Sequence, residues 1–377
     1  QDAIKQLKGR NPKNRLFRFE QGVLASFAVD TLEVYMTTQL KGQETYFLPF
    51  NMGKGEGIET GSGNPHNPDG VDTEYLWLDV LTMDSILQLV ESFIFYEVDK
   101  SNSKKKTLIF PRYHQRRAVS RLLEDMKTNH TDNNYLIQHS AGSGKTNTIA
   151  WLAHSLVSLH DDQNRNIVDT VLIVTDRIVV DRQLQDAVRQ INHKNGVVKV
   201  MGDRETSSDL ADAIAGNTKI IATTIHKFAQ INQSDWMSVG NTANKKFAIL
   251  IDEAHSSTTG SYMSSVSQVL TETDTEDGTI DEIQEVTVAD AIEQEIARTG
   301  KQDNVSIIAF TATPKATTLQ LFGTTQPDGS KAPFDVYSMK QAIEEGFILD
   351  VLDNYTTYKT YYQLNKVVEE DPELKTT

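Results

Sequence analysis

The octapeptide His139-Ser140-Ala141-Gly142-Ser143-Gly144-Lys145-Thr146 constrains this chain more than any other stretch, because of what stands on either side of it. Residues 135–139 form a short apolar run that suits a strand, and residues 147–159 read as a helix. Strand, glycine-bearing turn and helix in that order make a phosphate-binding loop. Gly142 and Gly144 permit backbone angles that turn successive N–H groups toward an anion, and the helix N-terminus adds a favourable dipole. Ser143 lies inside that cradle, Lys145 would reach the β- and γ-phosphates of ATP, and the Thr146 hydroxyl would bind Mg2+. A Gly/Ser-rich surface turn that happens to precede Lys-Thr is the bland alternative. The flanking strand and helix argue against it, and the lack of an Asn-Lys-x-Asp motif argues against a guanine nucleotide.

The rest of the chain from Pro111 onward has the matching alternation. An amphipathic helix is predicted at 116–127, with Val119, Leu122, Leu123 and Met126 on one face. Apolar, β-rich runs at 169–175, 219–223, 247–251 and 305–310 read as buried strands, with a further helix at 182–191. Strands and helices alternating at this spacing predict a parallel α/β sheet covered on both faces. Residues before about 100 differ. They show a short opening helix (Ala3, Ile4, Leu7) and strand-like runs at 24–29 and 32–37. An exposed, mobile glycine-rich loop is expected at 53–70, a helix at 84–97 with Asp84 as N-cap, and a polar linker at 99–106.

A second constellation strengthens the first. The run 247–251 leads directly into Asp252-Glu253-Ala254-His255. Asp252 could hold Mg2+ through water opposite Thr146, and Glu253 could polarise the water that attacks the γ-phosphate. Alone, two carboxylates at a strand end also fit a solvated turn. Thr311-Ala312-Thr313-Pro314 follows the next apolar run. The box and this triplet resemble motifs II and III of superfamily 2 helicases, which implies that Thr311 and Thr313 bond to His255 and couple hydrolysis to strand grip. Val174-Thr175-Asp176-Arg177 and Thr223-Thr224-Ile225-His226-Lys227 resemble the DNA-contacting motifs of that superfamily. Thr175, Arg177, Thr224 and Lys227 are then the residues offered to backbone phosphates, with capping and surface charge as the plain alternative. Tyr113-His114-Gln115 resembles the adenine-reading element: Gln115 pairs with the base and Tyr113 stacks on it, although His114 interrupts the usual Tyr-Gln order.

Local wording narrows the resemblance further. Tyr75-Leu-Trp-Leu-Asp-Val80 with Asp84-Ser85, Leu108-Ile-Phe-Pro-Arg-Tyr113, Leu136-Ile-Gln-His139 and Asp252-Glu-Ala-His-Ser-Ser257 are similar to the motor (R) subunit of type I restriction–modification enzymes. The likeness runs from the first helix to about residue 352. It implies an α/β fold, a RecA-like parallel sheet with helices on both faces, preceded by the remaining part of an α+β restriction-nuclease-like domain. The expected division is 1–103 for the nuclease-like part, 104–350 for the first RecA-like ATP-binding domain, and 351–377 for the start of a linker or second motor domain, read as a disordered tail. It also implies double-stranded DNA, methylase (M) and specificity (S) subunits as partners, and DNA translocation before cleavage. Measured against that pattern, the nuclease carboxylates and lysine are not found: Gln6 could be the glutamine that follows them, but Arg10 stands where the family has an aromatic residue. Glu373-Leu374-Lys375 reads as a chance triplet in a polar tail, and the chain stops soon after Phe347-Ile-Leu-Asp350.

A net charge of -15 looks wrong for a DNA motor, but much of it is local: residues 272–297 hold ten carboxylates and no Lys or Arg, and read as a solvated insertion. Motors grip a strand through a few placed groups, so global acidity lowers non-specific affinity without excluding binding. The absence of cysteine rules out disulfides, thiolate metal sites and a cysteine nucleophile, and is compatible with a cytoplasmic protein. No apolar run approaches the ~20 residues of a membrane span. A strand-separating superfamily 2 helicase and a nucleotide-gated scaffold remain as competing readings. An intact Lys145, Thr146, Asp252 and Glu253 set argues against the scaffold, which has no need of Glu253. The expectation for residues 1–377 by themselves is ATP binding with poor hydrolysis and no DNA cleavage. A coupled ATPase assay and a plasmid-nicking assay check this, and robust activity in either would contradict it.

Overall fold

The computed structural model describes residues 2–99, 102, 105–129, 133–175, 178–191, 197–202, 204–224, 245–252 and 304–350. After helix α1 (Asp2–Lys8), strands β1 (Ser26–Val29), β2 (Val34–Thr37) and β3 (Leu48–Pro49) form a small antiparallel sheet. A helical segment follows, made of α2 (Met83–Gln88) between π-type turns Leu76–Val80 and Leu89–Phe93. Strands β4 (Phe95–Val98) and β5 (Lys106–Ile109) then pair as an antiparallel hairpin.

The remainder alternates helix and strand: α3 (Tyr113–Asn129), β6 (Asn134–His139), α4 (Lys145–Leu156), β7 (Thr170–Thr175), α5 (Ile178–Ile191), β8 (Val198–Val200), α6 (Ser207–Ala215), β9 (Ile220–Thr224), β10 (Phe247–Ile251) and β11 (Val305–Thr311). Helix α7 (Ala316–Phe322), the short ribbon β12 (Thr324–Thr325) and β13 (Lys331–Ala332), strand β14 (Asp335–Tyr337) and α8 (Met339–Glu344) complete it. Seven strands form one sheet in the order β14-β6-β11-β10-β7-β9-β8, and all six pairings are parallel. The expected RecA-like α/β class is therefore what the chain adopts.

Alternation along the central strands divides the core in two. Ile137, Val171, Ile173, Ala248, Leu250, Ile308 and Phe310 face a large cluster that contains Trp151, Leu122, Met126 and Val188 from α3, α4 and α5. Leu136, Leu172, Val174, Phe247, Ile249 and Ile251 face Leu210, Ile214 and Phe322 from α6 and α7. A two-faced sheet needs apolar residues at every position, which is why these strands read as continuous apolar runs. Each such large side chain withdrawn from water contributes about 1.5–3 kcal/mol. The sheet therefore carries the stability and leaves its loop ends free to be shaped by polar contacts.

Three expectations for the first hundred residues are corrected. The helix at 84–97 ends at Phe93, because Phe95–Val98 pairs with β5, and Thr82 rather than Asp84 takes the N-cap position. The polar stretch 99–106 is no free linker: it joins two paired strands, and Lys106 is itself in β5. The loop at 53–70 is docked rather than mobile. The Ser338 hydroxyl donates to the Thr60 carbonyl, the Ser62 N–H donates to Glu344 at 2.6 Å, and Gly53 would meet Gln341 if it carried a Cβ. Val34, Met36, Phe50 and Phe93 belong to the same apolar cluster as Trp151, whose indole N–H donates to the Phe93 carbonyl at 2.9 Å.

Asp335 pins the edge strand β14. Its fully buried carboxylate accepts from Arg117 Nε and Nη2 at 2.9 and 3.1 Å, from Arg121 at 3.2 Å, and lies 3.3 Å from His139 Nε2. Burial alone would raise its pKa, but Arg117 and the His139 hydrogen bond overcome this and hold it at about 2. Since the folded value lies below the ordinary 3.8, the contribution is complete above about pH 4 and is lost as pH falls toward about 2. Asp335→Asn leaves Arg117 without its counter-charge and should cost about 3 kcal/mol at neutral pH. Urea titrations across the acid range should also show a flatter decline for the variant than for the parent chain.

Candidate functional site

Among the described residues, the expected site residues of the loop and the strand ends collect along one edge, where the parallel strands end. Register places Thr311 of β11 opposite Gln138 of β6, Ile251 of β10 opposite Ala309 of β11 and Val174 of β7, and Thr175 opposite Thr224 of β9. Asp252, one residue past β10, is 5% exposed and its N–H donates to the Val174 carbonyl at 3.0 Å. The loop 140–144 leaves the same edge from β6. The two strand ends are not adjacent, because β11 runs between β6 and β10. Two strand spacings amount to about 10 Å, wide enough for a hydrated cation and a phosphate chain and narrow enough for both to touch either side.

The loop has the backbone that its glycines were expected to permit. Gly142 and Gly144 have φ of 71° and 78°, in the left-handed region. Gly142 is exposed, Ser143 is buried, and Gly144, Lys145 and Thr146 are half-buried at the start of α4. The Lys145 ammonium lies 3.4 Å from the His139 carbonyl, folded back along the loop. A cleft of about 580 Å3 opens beside the first turn of α4, lined by Thr146, Asn147, Lys105 and Asp186; it meets the loop only through Thr146.

Two expected base-contacting residues are placed otherwise. Tyr113 is buried, edge-on to Phe50 at 5.9 Å and to Tyr75 at 5.0 Å, so its ring fills the join to the first hundred residues and is not presented to a base. Gln115 has both ends of its amide engaged: Nε2 donates to the Gly144 carbonyl at 3.0 Å and Oε1 accepts from the Arg112 N–H at 2.9 Å. Thr175 and Thr224 are buried at 2% and 6% exposure, so their hydroxyls are not offered to the surface as the sequence reading had it. Thr311 is buried and its hydroxyl accepts from the N–H of exposed Thr313 at 3.2 Å. Arg177, Lys227, Glu253 and His255 lie outside the described residues.

Several residues of this region were not anticipated. Arg112 donates to the Gly142 carbonyl at 2.6 Å, with its guanidinium 4.0 Å from the Phe347 ring centroid. His114 lies 3.0 Å from the Ser143 carbonyl and stacks on Tyr337 at 3.7 Å. His139, which stands where a phosphate-binding loop ordinarily opens on glycine, is fully buried against Asp335. Its departure from the pattern was visible in the sequence; the aspartate that occupies it, 196 residues later, was not.

The profile of the SWI2/SNF2 ATPase family matches residues 114–375. The chain belongs to that family. Relatives of this SWI2/SNF2 ATPase include a provisionally assigned type I restriction enzyme MjaVIIIP endonuclease subunit of Methanocaldococcus jannaschii, 28% identical over 212 residues, covering 52% of this chain and 20% of the relative. The type I restriction enzyme SsaAORF53P endonuclease subunit of Staphylococcus saprophyticus is 25% identical over 222 residues, covering 51% and 22%. The chain thus spans about a fifth of the length of these relatives. Among solved structures, the fragment of a provisionally assigned HsdR subunit of a type I restriction enzyme from Vibrio vulnificus aligns with TM-score 0.38 at 14% identity, over 93% of this chain and 52% of that one. No helix among the described residues is long and apolar enough to cross a membrane.

Gly144 offers a direct probe of the loop. A Cβ there would lie 2.6 Å from Gln115 Nε2, and the left-handed φ adds about 1–2 kcal/mol of strain for any L residue. Gly144→Ala should lower thermal stability and abolish tight triphosphate binding. Adding Gln115→Ala should return only part of the stability, since it relieves the clash but not the backbone strain.

Proposed function

We propose that this SWI2/SNF2 ATPase is the ATP-binding motor part of a type I restriction endonuclease subunit, and that it hydrolyses ATP to draw double-stranded DNA past a complex held by M and S subunits. One observation carries the reading: a loop with two left-handed glycines and a buried aspartate stand on the same edge of a parallel sheet, separated by a single strand. A triphosphate laid along α4's N-terminus would meet Lys145, while the Thr146 hydroxyl and Asp252 flank it from opposite sides.

Those groups also fit a Mg2+ ion. Both are hard oxygen donors, Asp252 is buried at a strand end, and half-buried Thr146 is the second residue of α4. When bound, the cation neutralises charge that develops on the phosphate oxygens. The chain's own residues do the rest. Backbone N–H groups of the loop orient the phosphates, Lys145 offsets their charge, and Glu253 takes a proton from the attacking water. His255, Thr311 and Thr313 then relay the state of the phosphate to the neighbouring strand ends. Arg177 and Lys227 contact DNA phosphates, with Thr175 and Thr224 two and three residues before them at the strand ends.

In this reading residues 1–103 are the remainder of a nuclease-like unit and 104–350 the first motor domain, the two sharing the core described above. The type I relatives support this assignment over a strand-separating helicase. In the full-length subunit with its complex, DNA should stimulate ATP turnover. Lys145→Ala and Glu253→Gln should each reduce that turnover by about 100-fold or more, with Glu253→Gln retaining ATP binding. Triplex displacement without strand separation is the expected translocation readout. Efficient unwinding of a duplex would instead place the protein among ordinary helicases.

A further inference from the structure

The carbonyls of three consecutive loop residues each accept a hydrogen bond from a side chain at the start of α3. Arg112 Nη2 donates to Gly142 O at 2.6 Å, His114 Nε2 faces Ser143 O at 3.0 Å, and Gln115 Nε2 donates to Gly144 O at 3.0 Å. A trans peptide is planar, with its C=O and the following N–H pointing in opposite directions. Fixing these three carbonyls therefore fixes the directions of the Ser143, Gly144 and Lys145 N–H groups. Those are amides of the kind that a phosphate-binding loop aims at its anion; in this structure the Ser143 N–H donates to the Ser140 carbonyl at 3.3 Å. The Gly144 carbonyl also accepts from the Asn147 and Thr148 N–H groups of α4, so it is mainly the Gly142 and Ser143 peptide planes that glycine flexibility would otherwise let rotate, at an entropic cost on every binding event.

We infer that Arg112 and His114 are positioning residues for triphosphate binding, which act with Gln115 by locking the peptide planes of the loop from behind. This rests on the nucleotide reading of the loop and adds to it two residues that touch no phosphate themselves.

The surroundings suit the task. His114 is 2% exposed, packed flat on Tyr337 and edge-on to His139 at 5.2 Å. Because its partner is a carbonyl, Nε2 must carry the proton. Burial first, then the nearby Arg112 and His139, keep the ring neutral, so the donor persists across the physiological pH range. Arg112 is held at its other face by Phe347, whose carbonyl would lie 3.2 Å from a Cβ on Gly142. The segment following α8 thus backs the same loop, and the arginine is clamped between them.

The test is equilibrium binding of Mg·ATP to the 377-residue chain by calorimetry, with apo thermal melting alongside. His114→Phe keeps the stack on Tyr337 but cannot donate; Arg112→Met keeps an apolar stem against Phe347 but cannot donate. Each should weaken Mg·ATP binding by about tenfold, the equivalent of one lost buried hydrogen bond. His114→Gln, whose amide can reach the same carbonyl, should recover to within about threefold. A purely structural role predicts lower melting temperatures with unchanged affinity of the folded fraction, and that result would overturn the inference. Should His114→Phe fail to fold, the half-exposed Arg112 decides alone. Lys145→Ala separates the two levels. If the parent chain binds no Mg·ATP, the nucleotide reading falls and this inference with it. If Lys145→Ala blocks binding while His114→Phe and Arg112→Met bind like the parent, only the positioning roles are refuted.

Discussion

The buried carboxylate of Asp335 is the contact on which the geometry of this molecule turns. It joins three elements that the chain brings together from far apart: Arg117 and Arg121 of α3, His139 at the end of β6, and its own strand β14. A charge with no access to solvent is tolerable only when several donors surround it, and those donors are then held in place by the same requirement. His139 is the last residue before the loop, so the point where that loop leaves the sheet is anchored by this network. Arg117 also donates to the carbonyls of Met52 and Val336, which extends the anchor to the first hundred residues and the edge strand alike.

From this anchor the site follows by position. Helix α3 begins with Tyr113, His114, Gln115, Arg116 and Arg117, and each of these faces a different partner. Tyr113 packs into the small antiparallel unit, His114 and Gln115 hold loop carbonyls, Arg116 grips Asp79 with two bonds of 2.8 Å, and Arg117 grips Asp335. One helical turn thus connects the phosphate-binding loop, the edge strand and the N-terminal segment.

Much of the architecture was legible from residue pattern, for a definite reason. Central strands of a parallel sheet are covered on both faces, so runs such as Phe247–Ile251 and Thr170–Thr175 must be apolar throughout and stand out in the sequence. The edge strands Val198–Val200 and Asp335–Tyr337 escaped notice because they are short and carry polar residues. Helix 84–97 was misjudged at its end: apolar periodicity continues into residues 95–98, and only the pairing partner Lys106–Ile109 shows that they form a strand. The glycine-rich loop at 53–70 looks mobile by composition. It is ordered by hydrogen bonds to residues almost 300 positions later, such as Ser338 and Glu344.

What the chain determined by itself is local: the strand, the loop whose glycines take left-handed angles, the helix after it, and the acidic box at the end of an apolar run. Backbone preference and hydrophobic period act over a few residues, so they can be read from a few residues. Tertiary structure alone decided which side chains are committed to the protein and which are offered to a ligand. Tyr113 and Gln115 match a base-reading pattern, yet one fills an aromatic join and the other braces Gly144. Arg112, His114 and His139 stand in matched stretches that gave them no role, yet they contact the loop or anchor its start. The physical reason is that a side chain's role depends on the nearest unsatisfied polar group or uncovered apolar surface. In this fold that neighbour comes from Asp335, Tyr337 or Phe347, which only the closing of the sheet brings near.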